Sequence, residues 1–312
     1  MDFGAYTFHS VFETDALLPQ YKGSTFRGVF GHALKRVVCA LRRQDCETCL
    51  LKEKCLYALV FETGRVLTAP AAGKIGGPPP PYVIEPPLTR QTEYPAGSDF
   101  DFRLILFGRV NESFPYFIYA FDGMGEMGVG RKINGERGRF RLETVSARGR
   151  EIYDRENGRL DMADGPGSIQ LTPGPPGGEI RRLRLSLDTP LRFKTDNRLT
   201  ADLPFQTLVR AALRRTSALS IYYGEGDPGV DYRGMIDRAG KVRTVENRLR
   251  WLDWRRYSNR QEMEMFMGGM IGEVTYEGPL DEFLPVIELA EQVHLGKATS
   301  FGLGKVRVEA VQ

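Results

Sequence analysis

The feature that most restricts the fold of this chain is a pattern of helix, glycine-rich loop and strand that occurs twice, once towards the end of each half. Residues 283–293 carry apolar side chains at helical spacing, the glycine-rich basic segment 294–305 follows, and residues 306–310 then alternate like a strand. Residues 114–145 contain the same order of a helix, a glycine-rich basic loop and a strand. Two halves with the same ending predict a duplicated unit.

The remaining apolar patterns complete the same element order in both halves. In the first half, strand patterns at 6–12, 82–84, 100–107 and 140–145 surround helical patterns at 26–41 and 114–121. In the second half, strands are predicted at 180–187, 242–249, 269–276 and 306–310, and helices at 203–219 and 283–293. The first of these helices is capped by Asp202 and has Pro204 near its start. Each half therefore follows the order βαββαβ. This order predicts an α+β chain of tandem ferredoxin-like (RRM-like) domains.

The length agrees with two domains. At about 150 residues each, 312 residues predict two of them, and 41% hydrophobic residues are enough for two cores. We place the domains at residues 1–160 and 179–312, because residues 161–178 are rich in Gly and Pro and are typical of a linker or long loop. A net charge of +3 argues neither for nor against a nucleic-acid partner.

Neither a signal peptide nor a membrane segment is predicted. Residues 1–4 have no basic region or apolar core, and no apolar run approaches the length of a membrane span. We therefore expect a soluble, cytoplasmic protein without a membrane partner.

All four cysteines lie in one short window, at Cys39, Cys46, Cys49 and Cys55. The Cys46-x-x-Cys49 spacing directs two thiolates at one ion, and the flanking thiols complete a tetrahedral set. Two disulfides are the alternative for a secreted chain, but a reducing compartment favours a metal. Residues 39–55 therefore predict a small four-cysteine insertion in the first domain that binds a structural zinc, with an iron–sulfur cluster as the second choice. Four thiolates leave no open position for catalysis.

Two basic segments of the second half are candidate RNA contacts. The loop 294–305 is either a tight connection or a cradle for phosphodiesters, built from backbone amides with Lys297 and Lys305. Residues 248–261 place both tryptophans among five arginines. That composition is typical of a surface for single-stranded RNA, although buried aromatics with solvated arginine neighbours would give the same pattern.

Histidine is the residue type best suited to proton transfer at neutral pH, and the chain has three. His32 falls off the apolar stripe of its helix and shares a face with Lys35 and Arg36, so that it is either an exposed polar residue or a proton-transfer group kept near neutral by the adjacent cations. His9 lies on a strand and is expected to be packed or exposed at an edge. His294 ends a helix, where it serves as a cap or contacts phosphate at the glycine loop.

Several motifs resemble those of one known family. They are Trp251-x-x-Trp254-x-Arg256-Tyr257-Ser258-x-Arg260-Gln261, Gly268-Gly269-x-x-Gly272, His294-x-Gly296-Lys297-x-Thr299-Ser300-Phe301-Gly302-Leu303-Gly304 and Phe26-Arg27-Gly28-x-Phe30-Gly31-His32-Ala33-Leu34. Over most of the chain they resemble the CRISPR-associated endoribonucleases of the RAMP superfamily that process precursor crRNA. The last motif with the cysteine knuckle is similar to a metal-bearing branch of that family.

The resemblance implies tandem ferredoxin-like domains that bind a CRISPR repeat and cleave it without a catalytic metal ion. The RNA's own 2′-hydroxyl would attack, leaving a 2′,3′-cyclic phosphate and a 5′-hydroxyl. The catalytic candidates that it implies are His32, Tyr21, Lys22 and Lys35, and His294 is a further candidate. It implies RNA contacts at Arg256, Tyr257, Ser258, Arg260, Gln261, Gly296, Lys297, Thr299, Ser300, Gly302, Gly304 and Lys305.

The expected partners are CRISPR repeat RNA or crRNA, other CRISPR-associated effector subunits, and a second copy of the chain. A non-catalytic RAMP subunit that only binds guide RNA in an effector complex is the alternative function, and composition does not separate the two.

Overall fold

The structure is a computed structural model, and it describes residues 1–41, 44–68, 76–175, 179–193, 201–253, 255–258, 263–266 and 268–311. For the strand residues 255–258 and 263–266 it describes the backbone. The chain divides into two compact units. Unit 1 comprises Met1–Ile169 with Tyr222–Gly224, and unit 2 comprises Gln170–Ile221 with Glu225–Gln312. The division falls inside the Gly- and Pro-rich segment 161–178.

Unit 1 holds eleven strands and four helices among the described residues. The helices are α1 (Gly23–Val38), α2 (Leu56–Phe61), α3 (Thr63–Val66) and α4 (Phe114–Met127). The strands are β1 (Asp2–Phe12), β2 (Ala16–Leu17), β3 (Tyr82–Glu85), β4 (Glu93–Tyr94), β5 (Asp99–Phe107), β6 (Val129–Ile133), β7 (Glu136–Gly138), β8 (Phe140–Ala147), β9 (Arg150–Asp154), β10 (Arg159–Leu160) and β11 (Gly167–Ser168).

The main sheet of unit 1 has the strand order β10-β9-β8-β1-β5-β3, with β11 paired to β1, and all of its pairings are antiparallel. A smaller sheet has the order β4-β2-β6-β7. The helices α1 and α4 pack against each other and on the buried face of the main sheet, where Phe30 stacks on Phe121 and Phe8 stacks on Phe102. Each such aromatic pair contributes roughly 0.5–1.5 kcal/mol beyond the burial of its area.

Unit 2 holds seven strands and three helices among the described residues. The helices are α5 (Phe205–Tyr223), α6 (Tyr232–Ala239) and α7 (Leu284–Val293). The strands are β12 (Arg182–Leu191), β13 (Arg243–Asn247), β14 (Arg250–Leu252), β15 (Arg255–Ser258), β16 (Met263–Phe266), β17 (Gly269–Glu277) and β18 (Val306–Val311). The sheet order is β13-β17-β12-β18, with β14 also paired to β17, and β15 and β16 form a separate hairpin.

The two units repeat one topology. The first strand of each unit, β1 or β12, lies between a strand that follows the final helix, β8 or β18, and the strand that precedes this helix, β5 or β17. This arrangement confirms the predicted α+β fold with tandem ferredoxin-like units. The helix α6 and the hairpin β15–β16 were not predicted. None of the helices described is long and apolar enough to cross a membrane.

Candidate nucleic-acid interface and active site

The helix α1 presents His32 to solvent. Its apolar side chains Phe26, Phe30 and Ala33 are buried, and the opposite side carries the exposed His32 and Arg36. Basic residues in the last turn favour the helix because its C-terminus carries partial negative charge. In the described part of the chain, no hydrogen bond or ion pair involves the His32 imidazole. The ring is thus accessible to a substrate.

Lys35 is held beside His32 by an aromatic ring. Its Nζ lies 5.3 Å from the ring centroid of Tyr57, which is at the start of α2. Residues three or four apart on a helix are neighbours, so Lys35 and Arg36 lie one turn beyond His32 on the same side of α1. A proton-transfer group next to two cations is an arrangement that can serve a reaction at a phosphate.

The structure separates Lys22 from this surface. Lys22 is fully buried, and its Nζ donates hydrogen bonds to the carbonyl oxygens of Thr89 at 2.6 Å and Gln20 at 3.3 Å. The same ammonium lies 5.8 Å from the ring centroid of Tyr94. Burial lowers the pKa of Lys22 below its ordinary value. This placement supports a structural role for Lys22 and does not support contact with RNA.

Tyr21 also belongs to the partly buried base of α1. Burial, and to a lesser extent the Glu85 carboxylate, raise the pKa of the Tyr21 phenol well above its ordinary value. The phenol therefore stays protonated across the physiological range. Of the predicted catalytic residues, His32 is therefore exposed and Lys35 lies half-buried one turn away on the same helix. Tyr21 is half-buried and Lys22 is buried.

The glycine loop between α7 and β18 is tied down by its own amides. The N–H of Leu295 donates to the Gly304 carbonyl at 2.9 Å, and the N–H of Gly304 donates to the Pro190 carbonyl at 3.0 Å. The N–H of Lys297 donates to the Arg192 carbonyl at 3.1 Å. These three amides are used within the protein, so the loop does not offer them to phosphate as the cradle interpretation requires.

The exposed part of the loop is small. Gly296 and Lys297 are exposed and Lys305 is half-buried, while the other predicted RNA-binding residues of the loop are buried. These are Thr299, Ser300, Gly302 and Gly304. Direct contact with RNA is consequently available to Gly296, Lys297 and Lys305, whereas the buried residues give the loop its shape.

His294 belongs to the buried part of this loop. Its ring is fully buried, and Nδ1 lies 3.0 Å from the Leu303 carbonyl, to which it donates. Its backbone has φ 59° and ψ 151°, a region that is nearly restricted to glycine. A buried ring cannot contact phosphate directly, so the structure places His294 as a support of the loop.

The hairpin β15–β16 contains part of the basic cluster. Arg256, Tyr257 and Ser258 lie on β15, whose partner is β16. Arg260 and Gln261 lie outside the described residues. Upstream of this hairpin, Trp251 is half-buried, and its Nε1 donates to the Asp253 carboxylate at 2.8 Å. Three residues of the cluster therefore lie on a hairpin that the sequence patterns did not predict.

The solvent face of the unit 2 sheet is covered with paired charges. Arg182 and Arg243 both contact Glu277, at 3.2 and 2.8 Å, and Arg307 contacts Asp188 at 2.7 Å. No aromatic side chain occupies the outward positions of β12, β17 or β18. RRM-like domains commonly stack bases on aromatics of this face. In unit 2 the loop and the hairpin are better candidates for RNA contact than the sheet.

His9 lies on the outward face of the unit 1 sheet. Its Nδ1 is 2.8 Å from Asp101 Oδ1 on the neighbouring strand β5, and both side chains are exposed. Sequence alternation places His9 on a strand face but gives no sign of the carboxylate partner, because cross-strand register depends on the tertiary fold.

The four cysteines are half-buried and unpaired. Burial raises the pKa of the Cys46 thiol; Lys35 opposes this effect, and the neighbouring Cys39 and Cys55 add to it. However, no group of three or more His, Cys, Asp or Glu side chains within the described ranges is placed to hold a metal ion. The donor types suit zinc, but their arrangement does not, so the structure does not support the predicted four-cysteine site.

Two family models match the chain. A model described as an N-terminal domain matches residues 1–164, and the model of the CRISPR-associated endoribonuclease Cas6 matches residues 185–306. An uncharacterized protein of Archaeoglobus fulgidus is 25% identical over 297 residues, which cover 94% of this chain and 93% of that protein.

Solved Cas6 structures share the fold. Thermus thermophilus Cas6 has a TM-score of 0.55 at 15% identity, over 99% of this chain and 98% of that one. A Cas6 product complex has a TM-score of 0.57 at 16% identity, over 98% and 100%. A partial Cas6-RT-Cas1–Cas2 complex has a TM-score of 0.57 at 13% identity over 99% of this chain, which spans only 46% of that longer one.

The N-terminal model covers more than half of the chain, and the Cas6 model covers the segment that contains the glycine loop and the hairpin. The exposed His32 with its flanking cations agrees with RNA cleavage. The chain is therefore a RAMP-type, CRISPR-associated RNA-processing protein, and its residues 185–306 match the Cas6 endoribonuclease family.

Proposed function

We propose that this protein cleaves precursor crRNA within its repeats by attack of the RNA's own 2′-hydroxyl. The observation that supports this proposal best is the exposed His32 with Lys35 and Arg36 one turn away, in a chain that matches the Cas6 endoribonuclease model over residues 185–306. The 2′-oxygen bonds to the adjacent phosphorus as the bond from phosphorus to the 5′-oxygen breaks. The products are a 2′,3′-cyclic phosphate and a 5′-hydroxyl, and because the nucleophile is supplied by the substrate, the step needs no metal-bound water.

His32 performs proton transfer in this proposal. The reaction needs a base to remove the 2′-hydroxyl proton and an acid to protonate the leaving 5′-oxygen, and an exposed imidazole is suited to either task at neutral pH. The third requirement is positive charge at the phosphorane, where negative charge accumulates. Lys35 and Arg36 lie within one turn of His32 and supply that charge.

The repeat RNA is held elsewhere by phosphate contacts in unit 2. The exposed Lys297 and the half-buried Lys305 offer charge at the glycine loop. Arg256 and Arg260 are added from the sequence, as members of the basic cluster. Arginine and lysine contacts of this kind supply affinity that falls with salt. His294 supports the loop from beneath through its bond to the Leu303 carbonyl.

Cleavage of labelled repeat RNA in EDTA tests the reaction. The matched control is the same RNA with a single 2′-deoxy substitution on the 5′ side of the cut, which removes only the nucleophile. We expect cleavage of the first RNA, with a cyclic phosphate on the upstream product, and no cleavage of the second. Equal cleavage of both, or a strict requirement for a divalent cation, would disprove the mechanism. Tight binding of both RNAs without cleavage would favour the non-catalytic RAMP subunit.

Other CRISPR-associated proteins and a second copy of the chain are proposed as protein partners. The first proposal is supported by the partial Cas6-RT-Cas1–Cas2 complex, whose fold is shared over 46% of its chain. The second rests on the family resemblance. Light scattering of the purified protein with and without repeat RNA distinguishes a monomer from a dimer.

A structural zinc at Cys39, Cys46, Cys49 and Cys55 remains a separate proposal, supported by the knuckle spacing alone. Metal analysis of purified protein tests it: about one zinc per chain, lost together with stability in Cys46→Ser, would establish the site. Metal-free protein of unchanged stability in that variant would exclude it.

A further inference from the structure

A groove runs along the outer side of the contact between α1 and α4 in unit 1. It encloses about 340 Å³. Its lining includes Ala33, Arg36 and Val37 from α1, and Tyr119, Glu126 and Met127 from α4. Arg36 is one helical turn beyond His32, and Cβ atoms at this spacing are about 5–6 Å apart. The groove therefore begins next to the proton-transfer group.

The groove combines one accessible aromatic ring with an apolar floor. Tyr119 lines the groove and is 68% exposed. Ala33 and Met127 are buried or half-buried and form apolar surface beneath it. An exposed aromatic face over apolar surface is the arrangement that binds an unpaired base by stacking.

The charges of the groove are available to a ligand. Arg36 and Glu126 make no ion pair among the residues described, whereas Asp122 is held by Arg155 at 2.5 Å. A guanidinium can bind a phosphate or stack on a base, and a carboxylate can accept a hydrogen bond from the amino group of a base. A cation, an anion and an aromatic ring that line one groove match the phosphate, amino group and ring of one nucleotide.

We propose that the groove between α1 and α4 binds a single unpaired nucleobase of the repeat RNA, stacked on Tyr119, with the adjoining phosphate at Arg36. The assignment rests on the proposed function, which brings RNA to His32. It goes beyond that function by naming a base-binding subsite on unit 1.

The size and pattern of the groove favour a base over a protein partner. A stable protein interface buries about 800 Å² on each partner, and a docked helix needs a continuous apolar stripe. Here the outer line of α4 is interrupted by Gly123 and Glu126, directly after Tyr119. A small site with both charge signs is suited to one planar, polar group.

Binding of a non-cleavable repeat RNA, with the 2′-deoxy substitution at the cut, tests the subsite without cleavage. Tyr119→Ala should weaken binding by roughly 5- to 150-fold, the range for loss of one stacked base, and Tyr119→Phe should bind normally. Tyr116→Ala is the matched control, because Tyr116 is 51% exposed on the same helix but does not line the groove. It should bind normally.

Single abasic substitutions near the cut identify the base. At one position, removal of the base should weaken binding to the wild-type protein by the same factor as the Tyr119→Ala substitution does. Removal of the same base should not weaken binding to the Tyr119→Ala variant any further. Normal binding by Tyr119→Ala, or an equal loss in Tyr116→Ala, would overturn the proposal. A change in oligomeric state of Tyr119→Ala with unchanged RNA affinity would also overturn it, by assigning the groove to a protein contact.

Failure of the proposed function has a different signature. If wild-type protein binds the RNA but does not cut the unsubstituted repeat, the enzymatic proposal fails while the binding variants still test the subsite. If wild-type protein does not bind the repeat at all, both proposals fail together.

Discussion

Gly128 and His294 end equivalent helices in the same backbone conformation. Gly128 follows α4 with φ 73° and ψ 154°, and His294 follows α7 with φ 59° and ψ 151°. Only glycine adopts this region readily, and strain of about 1–3 kcal/mol is expected for other residues. Unit 1 thus avoids the strain, whereas unit 2 offsets it with a buried ring and a hydrogen bond to the Leu303 carbonyl.

The first prediction compares two variants of His294. His294→Ala should destabilise the protein by about 2–5 kcal/mol, because it loses the ring and its hydrogen bond and keeps the strain. His294→Gly should be less destabilising by about 1 kcal/mol, because glycine relieves the strain. Urea unfolding gives both free energies. The opposite order would mean that the conformation is not strained.

The second prediction concerns the shape of the glycine loop. A Cβ on Gly304, at φ 72°, would lie 1.8 Å from the Leu295 carbonyl oxygen, so Gly304→Ala should destabilise the protein and weaken binding of the repeat. Gly135→Ala is the control, since Gly135 also has positive φ, at 90°, but its added Cβ meets nothing within 4 Å. It should cost only about 1 kcal/mol and leave RNA binding unchanged. Equal effects of the two variants on RNA binding would argue against a role for loop shape.

The duplicated order of helices and strands was predicted correctly because its two signals, apolar periodicity and glycine content, are both local in the sequence. Apolar periodicity marks the strands and helices of each unit, and a glycine-rich stretch follows both α4 and α7. The hairpin β15–β16 was missed because residues 255–261 are nearly all polar, and the alternation that follows at 262–265 is only four residues long. The helix α6 was missed because its eight residues make only about two turns, too few to show a clear helical periodicity.

Side-chain burial at the site was harder to predict. Lys22 directly precedes α1 and in the sequence resembles any exposed lysine, yet tertiary contacts from residues 89 and 94 enclose it. The groove beside Arg36 depends on how α1 packs against α4, which periodicity does not specify. His32 could be identified because its exposure follows from helical spacing alone.

The third prediction separates Lys22 from Lys35. Lys22→Met should destabilise the protein by about 1–3 kcal/mol, because the Thr89 carbonyl loses its partner, and should leave the cleavage rate of saturating RNA unchanged. Lys35→Met should do the reverse, with slower cleavage and near-normal stability. A large loss of cleavage in folded Lys22→Met would return that residue to the active site.

The stability of the wild type relative to Lys22→Met should also depend on pH. Burial lowers the pKa of Lys22, so between the folded pKa and the ordinary pKa the unfolded chain binds more protons than the folded protein. The difference in unfolding free energy, wild type minus variant, should therefore rise with pH across that alkaline window. A flat difference would contradict the lowered pKa.

The fourth prediction concerns phosphate contacts. Arg256→Ala, Arg260→Ala and Lys297→Ala should each weaken repeat binding and reduce its salt dependence by about 0.7 in the log–log slope, the value for one phosphate on a single strand. Arg307→Ala is the control, because Arg307 is paired with Asp188 at 2.7 Å on the sheet face. Slopes unchanged in all three variants would show these residues to be solvated neighbours of the site.

The fifth prediction assigns the proton transfer to one histidine. His32→Ala should lower the single-turnover cleavage rate by about 100- to 10,000-fold while binding of non-cleavable RNA stays near normal, because the exposed imidazole acts on the reacting oxygens and not on the backbone of the repeat. His9→Ala is the matched control: His9 is also exposed, but it is paired with Asp101 on the sheet face, and its loss should leave the rate unchanged.

His294→Ala, assayed at a temperature where it is folded, should mainly weaken binding through the loop. Wild-type cleavage by His32→Ala would remove the active site from α1. If His9→Ala were the inactive variant instead, the pair of His9 and Asp101 would become the proton-transfer group, and the reaction would take place over the sheet of unit 1.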